Sequence, residues 1–200
     1  MKIFTSDLHH DHRRIVEFTN RSKDITQENH TEWLVNTWNK NVTKSDVCYH
    51  LGDYSFAKKY DDIAKYTSRL NGTKILLKGN HDKRENLEQL VKDNLISAWF
   101  EYKEIKIGTT PVVLFHFPIS SWHRQVHGAW HLHGHCHGNH KDGKGKMLDV
   151  GIDSAYNIYG EHRFFTEEDL AIFMQDRSNY ISDHHRENTL EIFIQYYLKN

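Results

Sequence analysis

The chain has 200 residues, enough for one domain with a substantial core, and its 26 lysines and arginines nearly balance 27 aspartates and glutamates. That balance gives no argument for a nucleic-acid surface or an anionic membrane, so any polyanion would have to be met locally. Two cysteines, Cys48 and Cys136, make neither a disulfide framework nor a CxxC pair. Met1 and Lys2 lead straight into Ile3-Phe4 without an apolar leader, and no run approaches the roughly 18 apolar residues of a spanning helix. A soluble, cytoplasmic protein is expected. The outlier is histidine, with 17 residues, eight of them between His116 and His140. Such density is either a compositional accident or a surface tract that loosely binds metal, and position must decide.

In chain order, Lys2-Ile3-Phe4-Thr5-Ser6 reads as a strand that delivers Asp7-Leu8-His9-His10-Asp11-His12 at its carboxyl end, where open α/β sheets keep their sites. A brief helix is expected over Arg13–Phe18 and a longer one over Gln27–Lys40, with Trp33, Leu34, Thr37 and Trp38 on one face. Asp46–Leu51 is a second strand, followed by Gly52-Asp53. Phe56, Tyr60, Ile63, Tyr66 and Leu70 recur at helical spacing and stop at Asn71-Gly72. Thr73–Lys78 is a third strand running into Gly79-Asn80-His81-Asp82, and a helix follows over Lys83–Lys92.

Beyond Ser97 the texture changes to strands without long helices between them. These are Ala98–Ile107, a Gly108-Thr109-Thr110-Pro111 turn, and Val112–Phe115 ending at His116-Phe117-Pro118. This half of the sheet system should be antiparallel or mixed. From His131 to His137 four imidazoles alternate. In an extended segment His135 and His137 would face one cavity and Cys136 would point away, with Gly134 letting the backbone turn in close. A loop over Lys141–Lys146 and a strand over Met147–Gly151 follow. Thr166-Glu167-Glu168-Asp169 has the form of a helix start, with the helix running to about Asp176. The chain divides into a domain over 1–177 and an extension over 178–200 packed on it. In the extension Leu190, Phe193, Ile194 and Tyr197 fit a helix and Ile192, Ile194, Tyr196 and Leu198 fit a strand; the helix is preferred.

Asp7, His9, Asp53, Asn80, His116, His135 and His137 all lie at or just past strand ends, far apart in sequence but able to converge on one sheet edge. Seven oxygen and imidazole donors are too many for one ion and suit two that share a bridging carboxylate, and softness alone does not choose among manganese, iron, zinc, cobalt and nickel. Such a pair of ions clamps both the attacking and the leaving oxygen of a displacement at phosphorus, so the pattern points to phosphoester hydrolysis.

Asp7-x-His9, Gly52-Asp53, Gly79-Asn80-His81-Asp82, His116 and Gly134-His135-x-His137, in that order over about residues 2–155, resemble the calcineurin-like metallophosphoesterases. Phe4–His12, Tyr49–Asp53 and Leu132–His135 resemble their small, cap-less bacterial and bacteriophage members. The resemblance implies an α/β fold of two packed mixed β-sheets flanked by helices, a four-layer sandwich. It implies that Asp7, His9, Asp53 and His137 hold one divalent ion and Asp53, Asn80, His116 and His135 the other. The metal pair would be two Mn²⁺, with Fe, Zn, Ni or Co as alternatives. A metal-bridging hydroxide would attack phosphorus while His81 donates a proton to the leaving oxygen. Asp82 is a candidate to orient that imidazole and equally a helix N-cap. His12 is a candidate phosphate contact, and Arg13, Arg84 and Arg124 are clamps by chemical type alone. Trp122 has the chemistry to stack a base, with packing the default. His133 reads as a supporting or packing residue. The expected partner is a small, nucleotide-like phosphodiester or phosphomonoester. A nuclease, or a metal-binding scaffold without turnover, is the alternative.

Overall fold

The computed structural model describes residues 1–180 apart from 13, 20, 22–24, 27, 141 and 142. Arg13, the expected start of a helix at Gln27 and the 181–200 part of the extension lie outside the described residues.

In chain order the elements are β1 (Lys2–Thr5), α1 (Ile15–Phe18), α2 (His30–Asn41), β2 (Val47–His50), α3 (Tyr60–Thr67), β3 (Thr73–Leu77), α4 (Arg84–Lys92), β4 (Ala98–Phe100), β5 (Tyr102–Ile107), β6 (Thr110–Phe115), β7 (Trp130–His133), β8 (Met147–Asp149), α5 (Ile152–Tyr159), β9 (Phe165–Thr166) and α6 (Glu167–Gln175). They build two mixed sheets, β4-β3-β2-β1-β9 and β5-β6-β7-β8, flanked by helices. The first is parallel except for β9, and the second is parallel except for the β5–β6 hairpin.

Strand alternation sorts the apolar side chains into layers. Phe4, Tyr49 and Leu77 of the first sheet face Val112, Leu114, Leu132 and Leu148 of the second across the inter-sheet core. Their neighbours Ile3, Cys48 and Leu76 point the other way, onto Leu34 and Trp38 of α2, Ile63 and Tyr66 of α3, and Leu87 and Leu90 of α4. The outer face of the second sheet holds a smaller cluster of Val113, Trp122, Ala129 and Met147. Gly72 takes φ +76° after α3, and a Cβ there would stand 2.8 Å from the Asp46 carbonyl, so the turn requires glycine. The expected helix start at Thr166 is a capping box with Asp169.

The structure departs from the sequence reading at several elements. The Ala98–Ile107 run is two strands, because Glu101 carries the chain from the edge of the first sheet, where β4 pairs parallel with β3, to the second, where β5 pairs antiparallel with β6. Thr110 and Pro111 are strand residues, so the turn shrinks to Gly108-Thr109. The strand of alternating histidines ends at His133. Helix α5 and strand β9 had no expected counterpart, although Asp153 in the first turn and Gly160 at φ +74° are ordinary start and stop signals for α5.

Candidate metal centre

β1, β2 and β3 run parallel in one sheet and β6, β7 and β8 in the other, and the candidate residues sit just beyond their carboxyl ends. The loops after β1 and β2 travel side by side, with Asp7 N–H donating to Gly52 O and His9 N–H to Asp53 O, both at 3.0 Å. Their pairing holds an unusual backbone. Among the described residues, the non-glycine positions with positive φ are Asp7, His9, Asp11, Asp53, Asn94, Arg124, His135 and His137. Left-handed backbone costs an L-residue roughly 1–2 kcal/mol, and five of these eight belong to the expected ligand set. Strain of this kind gathers at active sites and ligand clamps, which makes these loops the candidate site. It also revises the extended picture of His135 and His137: they converge on the site through left-handed turns at φ 70° and 49°, not through strand alternation.

Two clusters result, Asp7–His9–His137 and Asp53–His116–His135, in each of which the ligand atoms lie within 4.8 Å of one another. In the first, His9 Nε2 is 3.2 Å from His137 Nε2 and 3.9 Å from Asp7 Oδ1. In the second, His116 Nε2 and His135 Nδ1 each lie 3.0 Å from the amide oxygen of Asn80. Asp53 stands between them, with Oδ2 3.8 Å from His9 Nε2 and Oδ1 3.6 Å from His116 Nε2. The backbone comes close enough to these carboxylates to exclude side chains. A Cβ on Gly79 would lie 2.1 Å from Asp53 Oδ1, and one on Gly134 would lie 1.9 Å from Ser6 Oγ and 2.6 Å from Asp7 Oδ2.

The electrostatics suit a cation. Burial, helped by the Asp149 and Asp53 charges, pushes the Asp7 carboxyl well up even though His137 opposes it. Burial, then the neighbouring His137, holds His9 well below the usual imidazole range, and burial likewise lowers His116 against the pull of Asp53. Burial alone would lower His137, but the Asp153 carboxylate at 2.7 Å and the Asp7 charge outweigh it, and the net shift is upward. Imidazoles beside buried carboxyl groups are the donor set of a borderline divalent ion. The spacing fits as well, since two imidazole nitrogens bound near-tetrahedrally to one ion stand about 3.2–3.4 Å apart, the separation of His9 and His137. Two of the four rings are set from behind: Leu51 O lies 2.8 Å from His116 Nδ1 and Asp153 Oδ2 2.7 Å from His137 Nδ1, which leaves both Nε2 atoms free to coordinate.

His81 lies at the mouth. Its side chain is 45% exposed, with Nε2 3.9 Å from Asp53 Oδ2, and its ring packs 4.3 Å from Phe56. A cavity of about 230 Å³ opens beside it, lined also by Phe56, Lys58, Lys83 and Leu87. Asp82 is placed differently from either expectation. Its carboxylate accepts N–H bonds from Gly79, Asp53 and Tyr54 at 2.8–2.9 Å, so it ties the β2 and β3 loops together, and Lys83 occupies the N-cap of α4. Burial raises it to about 6 against those bonds. His12 packs on Phe56 at 4.2 Å beside His9.

Other expected residues stand apart from the clusters. Arg84 pairs with Glu101 and covers Trp99, and Arg124 begins the 3₁₀ turn Gln125–His127. Trp122 is buried, donates to Ala129 O and packs on His131, which makes it a packing residue. His131 and His133 are buried on the outer face of the second sheet, where burial depresses them to about 3 and about 4. Cys136 belongs to neither cluster. The sequence reading passed over Asp149, whose carboxylate accepts from Gly138 and Gly151 N–H, and Arg21 and Asp153, which stand behind the first cluster. Asp149 ends a strand as Asp7 and Asp53 do, so the same rule would have found it.

Fold and site together define a two-sheet α/β protein with paired histidine and aspartate clusters at the strand ends. No family model matches the chain. The uncharacterized protein MJ1445 of Methanocaldococcus jannaschii is 32% identical over 156 residues, 74% of this chain and 79% of that protein. The chain belongs to the same family as MJ1445. The gene 66 protein of Mycobacterium phage L5 is 28% identical over 183 residues, 76% of this chain and 86% of the phage protein. Among solved structures, AQ665 of Aquifex aeolicus, a protein of unknown function, shares the fold at a TM-score of 0.65 and 20% identity, covering 86% of this chain and 98% of that one. YfcE, a phosphoesterase from E. coli, aligns at a TM-score of 0.39 and 14% identity over 76% of this chain and 78% of its own, too distant a likeness to carry weight.

Proposed function

We propose that this protein is a metal-dependent phosphoesterase that hydrolyses small, nucleotide-like phosphodiesters or phosphomonoesters with two divalent ions, Mn²⁺ foremost. The observation that carries this reading is the position of Asp53 between the two clusters, within 4 Å of an imidazole of each. When bound, the two cations supply an activated water and the charge that stabilises the phosphoryl oxygens.

The chain's own residues do the rest. Asp7, Asp53, His9, His116, His135 and His137 would hold the ions. Asn80 adds a neutral oxygen, which preserves their electrophilicity. His81, exposed beside Asp53, reaches the leaving oxygen and gives it a proton through Nε2. His12, held against Phe56 beside the first cluster, contacts the phosphate. Among the described residues no helix is long and apolar enough to cross a membrane. The two free thiols fit a reducing cytoplasm.

The test is a panel of aryl phosphate monoesters, diesters and nucleotides offered to protein loaded with Mn²⁺, Fe²⁺, Co²⁺, Ni²⁺ or Zn²⁺. Turnover that disappears with chelation and returns with metal is the expected result. Failure on every substrate with every metal would overturn the reading.

A further inference from the structure

Arg21 is a fully buried cation that the chemistry above leaves unused, its side chain 0% exposed. An uncompensated charge in that position is strongly destabilising, so its partners carry the meaning. A guanidinium has five N–H donors in a rigid fork, and here each has an acceptor. Nε donates to Asp153 Oδ1 at 3.0 Å and Nη2 to Asp153 Oδ2 at 3.0 Å, a bidentate pair. Nη1 donates to Leu8 O at 2.7 Å and to His30 Nε2 at 2.9 Å, and Nη2 donates also to Asp7 O. The two carbonyls belong to the peptide units joining Asp7 to His9, both of them left-handed. Asp153 Oδ2 in turn lies 2.7 Å from His137 Nδ1. One side chain therefore touches the backbone of Asp7 and of Leu8, the residue between the first two members of the Asp7–His9–His137 cluster, and, through a carboxylate, the ring of the third.

Among the described residues the second cluster has no arginine behind it and no carboxylate behind either ring; its charged support is the Asp82 carboxylate, which holds the backbone N–H of Asp53 and Gly79. His116 is set by a neutral backbone carbonyl, and His135 and Asn80 meet each other directly. An ion pair serving only to pin α5 to the segment after α1 would need the Asp153 fork and nothing more. The carbonyl contacts are directed at the strained ligand loop itself.

We propose that Arg21 is a positioning residue, acting with Asp153, that sets the metal affinity of the Asp7–His9–His137 site and leaves that of the Asp53–His116–His135 site unchanged. This rests on the two-ion reading above. Lysine cannot replace it, because three donors on one nitrogen cannot serve five acceptors spread over an arc.

The experiment is Mn²⁺ titration of metal-free protein by calorimetry and electron paramagnetic resonance, comparing wild type with Arg21→Lys, Arg21→Ala and Asp153→Asn. Circular dichroism verifies folding. Wild type is expected to take two ions. Each folded variant should bind one of them 10–100-fold more weakly, the range seen when a group supporting a metal-bound histidine is removed, with the other affinity unchanged. The ¹⁵N shifts of His137 should move in Asp153→Asn, and added guanidinium should restore the weakened site in Arg21→Ala. If Arg21→Ala does not fold, Arg21→Lys decides, because it keeps the buried charge. Equal weakening of both sites, or of neither, overturns the inference while leaving the two-ion reading intact. A wild type that binds no divalent ion overturns both.

Discussion

The two clusters are alike in composition and different in support. Asp7–His9–His137 is the deeper, with Asp7 and His9 buried and its backbone and one ring braced by a buried arginine and aspartate. Asp53–His116–His135 keeps His135 exposed, its rings meet a backbone carbonyl and a neutral amide, and its charged support, Asp82, holds the Asp53 backbone and not a ring. A charged carboxylate behind an imidazole makes it a better donor than a carbonyl does. The comparison therefore implies unequal affinities, the braced site filling first and the open one exchanging more readily.

The strongest way to break the comparison is to remove what the clusters share. Asp53→Ala should abolish binding of both ions and lower kcat by roughly 10³-fold or more, since each 1.4 kcal/mol of lost transition-state stabilisation is tenfold; metal analysis and steady-state kinetics together check it. His81→Ala should lower kcat by about 10²–10⁴-fold with metal content unchanged, and unaltered turnover there would sink the proton-donor assignment. His137→Ala and His135→Ala should each remove one ion, from the braced and the open cluster respectively, which sharpens the asymmetry into two separately measurable stoichiometries.

A smaller effect concerns stability and pH. His131 on the outer face of the second sheet is pushed down to about 3 by burial, so the folded state holds it neutral while the unfolded chain can protonate near 6.5. Its contribution is complete above about pH 6.5 and is lost as pH falls below that value, reaching about 2 kcal/mol at pH 5. Denaturant midpoints should therefore drop over that range, and less so in His131→Gln. The smallest effect is expected from His133→Gln and Cys136→Ser, which should leave metal stoichiometry as in wild type.

The strand ends were legible from the sequence because short β-rich runs stop abruptly at Asp7, Asp53, Asn80 and His116. The ordered motifs then grouped these with His135 and His137. What could not be read was anything set by the third dimension. Nothing local distinguishes Glu101 from a strand interior, because the switch between sheets depends on which edges are free. Alternation suggested that His131, His133, His135 and His137 share a face, yet left-handed turns after His133 separate the last two from the first two. Arg21 and Asp153 are 132 residues apart, and neither carries a motif of its own. Adjacency in sequence makes Asp82 look like a partner of His81, whereas its oxygens face the loop after β2.

One consequence of the layered architecture concerns cohesion. Each cluster draws on both sheets: Asp7 and His9 follow β1 while His137 follows β7, and Asp53 follows β2 while His116 and His135 follow β6 and β7. A bound ion is thus a rivet through the sandwich, fastening two sheets whose mutual grip otherwise rests on the apolar layer around Phe4 and Leu132. Any ion that prefers the folded chain raises its stability with the logarithm of free metal concentration. Chelation should therefore loosen the sheets as a pair, and the melting temperature of this protein should report its metal supply.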